Sequence, residues 1–209
     1  MDLVNVFRPF VLGLDALLRH LYRIQEFDDN EECFFRLSIS RSKREYHLSD
    51  GVVILPGDRL GEIHFWNERL PKIGENGADV AWARAFYRRG VSSMKSLAAN
   101  AIHNPEYQDI LAYHGDPPIG GYHDEKMLVR ALQRWGFDLC PTETADGFWG
   151  KFAEFWANLY ISWVVWAFNP GSLKGRTIFK LKREEILISR KKLLELYLEK
   201  QKTGTPEFY

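Results

Sequence analysis

The chain has 209 residues, 45% of them hydrophobic and 27% charged, the balance of one globular core and not of a disordered chain. Its 28 lysines and arginines match its 28 aspartates and glutamates, so no basic excess points to nucleic acid as a partner. The N-terminus lacks the basic region of a signal peptide, and the two cysteines, Cys33 and Cys140, make no disulfide framework, so a reducing, cytoplasmic location is expected.

Phe7, Phe10, Val11, Leu14, Leu17, Leu18 and Leu21 recur at helical spacing and predict an amphipathic helix over residues 7–24. After an acidic turn at 28–32 the period becomes two. Phe35, Leu37 and Ile39 alternate with Arg36, Ser38 and Ser40, the pattern of a half-buried strand. Asp50-Gly51 between two β-prone runs predicts a tight hairpin, because glycine accepts the positive φ that such turns require. Pro56-Gly57-Asp58 closes that run, and 61–67 forms another strand, so residues 33–67 read as an antiparallel meander.

Helical spacing resumes over 78–103, through Val80, Trp82, Ala83, Phe86, Tyr87, Met94, Leu97 and Ala98, with Gly90 as a point of bending or division. A short strand at 110–113 precedes a Pro/Gly-rich loop at 114–122. A helix over 125–135 stops at Gly136, a C-cap glycine, and a strand follows at 137–140. A long helix over 146–168, strands at 177–181 and 186–189, a helix over 190–200 and a loose tail from residue 203 complete the chain. No linker or repeat divides it. The fold class is α+β: one domain over 1–209, with an antiparallel sheet packed against several helices.

Leu48-Ser49-Asp50-Gly51, Gly57-Asp58 and the run Gly61-Glu62-Ile63-His64-Phe65-Trp66-Asn67-Glu68-Arg69-Leu70 resemble the YkoP-like domain family. Trp135-Gly136-Phe137, Asn169-Pro170 and Ile188-Ser189-Arg190 with Leu193-Leu194 extend the likeness over most of the chain. The family comprises stand-alone bacterial proteins and domains that trail polysaccharide deacetylase domains, and no activity is assigned to it. The deacetylase histidine and aspartate motifs are not evident here, so the resemblance implies a companion module with an envelope-related, lipid- or glycan-linked ligand.

In a strand over 61–67, Glu62, His64 and Trp66 share one face, while Ile63 and Phe65 share the other. Glu62 beside His64 is a candidate acid–base pair, with Glu62 orienting the imidazole. Asp58, Trp66, Asn67 and Arg69 are ligand-binding candidates, Arg69 through bidentate contact with an anion. The same residues also suit a solvated sheet face closed by ordinary turn residues. His114, Asp116 and His123 carry metal-ligating groups, but at a spacing that fits no recognised motif, and no metal or other cofactor is expected.

Of the seven tryptophans, four fall in the helix over 146–168. Trp149, Trp156, Trp163 and Trp166 lie on its broad aromatic face, and residues 174–201 that follow carry nine lysines or arginines against four acids. Three placements fit: the domain core, the inner surface of a membrane, or a homodimer interface. Three functions compete: a non-catalytic binding module for a small or amphipathic ligand, an enzyme using Glu62 and His64 on an anionic substrate, and a structural homodimer packed through residues 149–166.

Overall fold

The period-two stretch forms β1 (Phe35–Arg41), which pairs antiparallel with β4 (Arg59–Phe65) from Phe35 opposite Phe65 to Arg41 opposite Arg59. The computed structural model describes residues 3–66, 68–74, 79–117, 125–141, 155–156, 158–159, 162–164 and 184–199. Between β1 and β4, β2 (Tyr46–His47) and β3 (Val53–Ile54) fold aside as a separate two-stranded hairpin, with Gly51 at φ 83° in its turn. The expected meander is therefore a long pair with a small hairpin inserted.

Two long helices follow the expected spacing: α1 (Leu3–Leu21) and α2 (Val80–His103), the latter capped by the Asp79 carboxylate accepting from the Trp82 amide at 2.7 Å. After α2 the chain enters β5 (Ala112–Gly115), which lies parallel to β4 because α2 carries it across the sheet. α3 (Glu125–Arg134) ends at Gly136, whose φ of 99° gives the expected C-cap, and leads into β6 (Asp138–Cys140). β7 (Glu185–Ser189) runs antiparallel between β5 and β6, giving the order β1-β4-β5-β7-β6. The sheet is thus mixed and not wholly antiparallel, within the α+β class. Ser189 then caps α4 (Arg190–Leu194), which continues as a π-helical turn over Glu195–Glu199.

One sheet face carries Phe35, Leu37, Ile63, Tyr113, Ile186 and Ile188 against Met94, Leu97 and Ala101 of α2 and Leu193 and Tyr197 beyond β7. This is the main core. The opposite face bears a smaller cluster, Leu60, Ala112 and Leu187, closed by Leu48 and Ile54 of the hairpin. Strings that carry the family resemblance meet here. The Ser189 hydroxyl donates to Asp50, and Ser49 binds Asp138 through its amide and hydroxyl at 3.0 and 2.7 Å. Lys192 reaches the same carboxylate at 3.0 Å. Both cysteines are free.

Gly90 does not divide α2, which runs unbroken from Val80 to His103. A Cβ there would sit 1.8 Å from the Trp135 ring, so glycine marks a helix–indole contact instead of a hinge. The tail from residue 203 and the strand expected at 177–181 lie outside the described residues. So does most of the helix at 146–168, although 155–156, 158–159 and 162–164 are helical.

Two glycine substitutions should therefore differ in sign. Gly90→Ala should destabilise by about 1–3 kcal/mol through overpacking against Trp135. Gly13→Ala in α1, where a Cβ meets nothing within 4 Å, should stabilise by about 0.5–1 kcal/mol. Urea unfolding of both variants checks this, and a stabilised Gly90→Ala would contradict the packing.

Candidate functional site

Alternation along β4 places Glu62 and His64 on the same face, as expected, but their hydrogen bonds go to other strands. Glu62 Oε1 lies 2.7 Å from His114 Nδ1, and Glu62 Oε2 accepts the Ser40 hydroxyl at 2.9 Å. His64 Nε2 lies 2.9 Å from the Ser38 hydroxyl oxygen. Register explains the choice. The parallel β4–β5 pair sets Glu62 directly opposite His114, and the β1–β4 pair, with Ser38 opposite Glu62, leaves both serine contacts diagonal, Ser40 to Glu62 and Ser38 to His64. Two sets of residues that looked separate in sequence, Glu62 with His64 and His114 with Asp116, thus form one cluster.

The hairpin borders this cluster. The Tyr46 hydroxyl donates to Glu185 at 2.9 Å, Arg44 pairs with the same carboxylate, and the Tyr46 ring lies 6.4 Å from that of His114. The His114 and Glu62 side chains keep only 15% and 23% of their surface exposed, so charge here is weakly screened by water.

Burial alone would raise the Glu62 pKa. The hydrogen bond and charge of His114, with the Ser40 hydroxyl and His64, outweigh it and hold the carboxyl below its ordinary value. Burial would lower His114, yet the hydrogen bond and charge of Glu62, with Glu185 and Asp116, hold that imidazole above its ordinary value. For His64 burial prevails, with His114 and Arg36 adding to it, and the imidazole is pushed down. Near neutral pH the cluster therefore favours an ionised Glu62, a His114 inclined to hold its proton and a neutral His64.

His114 Nδ1 is committed to Glu62, while its Nε2 is buried and has no hydrogen-bond partner among the described residues. A carboxylate-oriented imidazole with one free nitrogen is what proton transfer to a bound group requires. The orienting role read for Glu62 is thus directed at His114 and not at His64.

The other candidates are dispersed. Asp58 accepts from the Leu55 amide at 2.7 Å within its turn. Trp66 is buried between two guanidinium groups, Arg36 at 4.0 Å and Arg69 at 3.5 Å from its ring. Arg69 also donates to the carbonyls of Asn30 and Cys33, and Arg36 binds Glu26 at 3.1 Å. Trp156 and Trp163 are 49% and 40% exposed. Asn67, His123, Trp149 and Trp166 lie outside the described residues. Among the described residues no group of three or more histidine, cysteine or acidic side chains is arranged to hold a metal. Ser38 and Ser40 were missed as partners. The alternation of β1 marked them as polar-face residues, but nothing local names the strand beside them.

The YkoP domain family matches residues 5–197. No curated protein and no solved structure matches the chain.

The two pKa directions set a pH window for the Glu62–His114 pair. Glu62, lowered on folding, adds stability above its unfolded pKa that is lost as pH falls. His114, raised on folding, adds stability below its unfolded pKa that is lost as pH rises through the folded value. The pair should contribute most between about pH 4.5 and 6.5. In urea unfolding, the deficit of Glu62→Gln relative to the parent should peak there at about 1–3 kcal/mol and shrink toward pH 3 and pH 9. A deficit constant across pH would remove the ion pair from the account.

Proposed function

This chain belongs to the YkoP domain family, and we propose that it is a non-catalytic binding module for an amphipathic, envelope-related ligand, working at the anionic inner surface of a membrane. The observation that carries the reading is the outward face of α1. Phe10, Leu17 and Leu21, at spacings of seven and four, are 65%, 62% and 68% exposed, and Tyr22 beside them is 64% exposed. Val11 and Asp15 of the same helix are buried. A helix that turns a carboxylate inward, held by Arg19 at 3.0 Å, and an apolar stripe outward has the polarity of an interfacial helix.

Trp156 and Trp163, seven residues apart and half-exposed, add aromatic groups of the kind favoured at a bilayer interface. His20 and Arg23 stand exposed at the end of the α1 stripe, where cations favour anionic lipid. No helix among the described residues is long and apolar enough to cross a membrane, so the proposed contact is peripheral.

A second reading rests on the free Nε2 of His114: an enzyme in which Glu62 and His114 form the acid–base pair, in place of Glu62 and His64, on an anionic substrate. Turnover of 4-nitrophenyl phosphate or an equivalent ester that disappears in His114→Gln at unchanged melting temperature would favour it.

Vesicle flotation with and without anionic lipid tests the first reading. The chain should float with anionic vesicles, less at high salt, and Leu17→Glu should weaken partitioning about tenfold or more, given ~1.5–3 kcal/mol per buried leucine. Absence of flotation overturns the membrane reading. If light scattering then gives a dimer mass that Leu17→Glu abolishes, the stripe is a homodimer interface instead.

A further inference from the structure

Between α2 and α3 lies a groove of about 570 Å³, within the roughly 300–1,000 Å³ of ligand sites. Its apolar lining includes Ala83 and Phe86 of α2 and Met127, Leu128 and Ala131 of α3, of which Phe86 and Ala131 are buried. Its rim is cationic. Arg84 comes from α2, and Lys126, Arg130 and Arg134 come from successive turns of α3; all four are exposed, and no acidic residue is among the described residues that line the groove.

Three like charges at four-residue steps on one short helix repel one another, each adjacent pair costing about 0.2–0.5 kcal/mol. None of the four rim cations has an ion pair or hydrogen bond among the described residues. Neighbouring arginines of α2 do have partners. Arg88 pairs with Glu32 at 2.9 Å and Arg89 donates to the Arg69 carbonyl at 2.6 Å. Unbalanced positive charge is thus concentrated around an apolar cleft. An anion at the rim would relieve the repulsion, and guanidinium groups match phosphate oxygens in geometry.

We infer that this groove binds a single-chain lipid with a phosphate head, the chain lying over Phe86 and Leu128 and the phosphate held by Arg84, Arg130 and their neighbours. The inference names a ligand for the amphipathic-ligand reading above. Its geometry is separate from the α1 stripe, and a test without vesicles distinguishes failure of the two. Phe86 stacks on Trp82 and lies 5.3 Å from Trp135, so occupancy should alter tryptophan emission. The sequence held the signal, cations at 126, 130 and 134 on one helix face, but the apolar cleft beside them forms only when α2 packs against α3.

The experiment titrates the full chain with dodecyl phosphate below its micelle concentration, by calorimetry and tryptophan fluorescence. One equivalent should bind. Arg84→Glu with Arg130→Glu, both at exposed positions, should weaken binding about tenfold or more at an unchanged melting temperature. Ala83→Leu, which fills the groove and leaves the charges in place, should do the same. Dodecyl maltoside should bind at least about tenfold more weakly, which would confirm the role of the anionic head. Inorganic phosphate binding as tightly as dodecyl phosphate would reduce the site to a phosphate site and overturn the lipid. Tighter binding of an acidic amphipathic peptide would reassign the groove to a protein partner. Binding unchanged in both sets of variants would place the ligand elsewhere.

Discussion

The indole of Trp135 occupies the space that a side chain at position 90 would fill, and much of the architecture depends on that contact. Trp135 is fully buried, ringed by Phe34, Phe86 and Tyr87 at 6.1, 5.3 and 6.3 Å, and its carbonyl accepts the Tyr197 hydroxyl at 3.0 Å. One residue therefore ties the end of α3 to α2, to the entry of β1 and to the C-terminal helical turn. Close packing of rigid aromatic rings leaves few alternative arrangements. The axis of α3 relative to α2 follows from this seat, and so does the cleft between them.

The sheet divides its two faces by chemistry. On the α2 side the described inward residues are mostly apolar. On the hairpin side the small Leu60–Ala112–Leu187 cluster covers only part of the surface, and the rest holds Ser38, Ser40, Glu62, His64 and His114. A buried carboxylate is tolerated there because an imidazole and a hydroxyl both satisfy it. The parallel register of β4 and β5 is what makes this possible. Moving β5 by one residue would turn His114 into the apolar core and Tyr113 into the polar cluster.

Local patterns were legible in the sequence to the extent that their causes are local. The period of two placed Glu62 and His64 on one face, Asp50-Gly51 marked the hairpin, and Gly136 marked the end of α3. Partner choice was not legible. Glu62 meets His114 across 52 positions of sequence, through a crossover helix whose length and packing decide the register. Gly90 read as a helix breaker because propensity was the only local information. Its role is defined by a ring 45 positions away, a tertiary effect that overrides propensity. The family resemblance was carried partly by Asp50 and Ser189, which the fold joins by a hydrogen bond. Those strings therefore record how the hairpin is fastened to α4 more than they record a reaction.

The balanced composition conceals how charge and apolar surface are distributed. Many cations serve the fold: Arg36 with Glu26, Arg44 with Glu185, Arg59 with Asp109 and Lys192 with Asp138. Each fastens one element to another, and each consumes an acid. Each pair removes one cation and one acid, so the balance of 28 against 28 does not fix where the remaining charges lie, and at the rim of the α2–α3 groove four cations gather with no acid among the described lining residues. Aromatic residues divide in the same way. Trp66 and Trp135 are consumed by the core, whereas Trp156 and Trp163 stay half-exposed. Surface exposure of large apolar groups is costly in water unless something else covers them. The exposed stripe of α1 and the cationic groove thus belong to one physical argument: both are apolar or positive surface that the described part of the fold leaves uncovered.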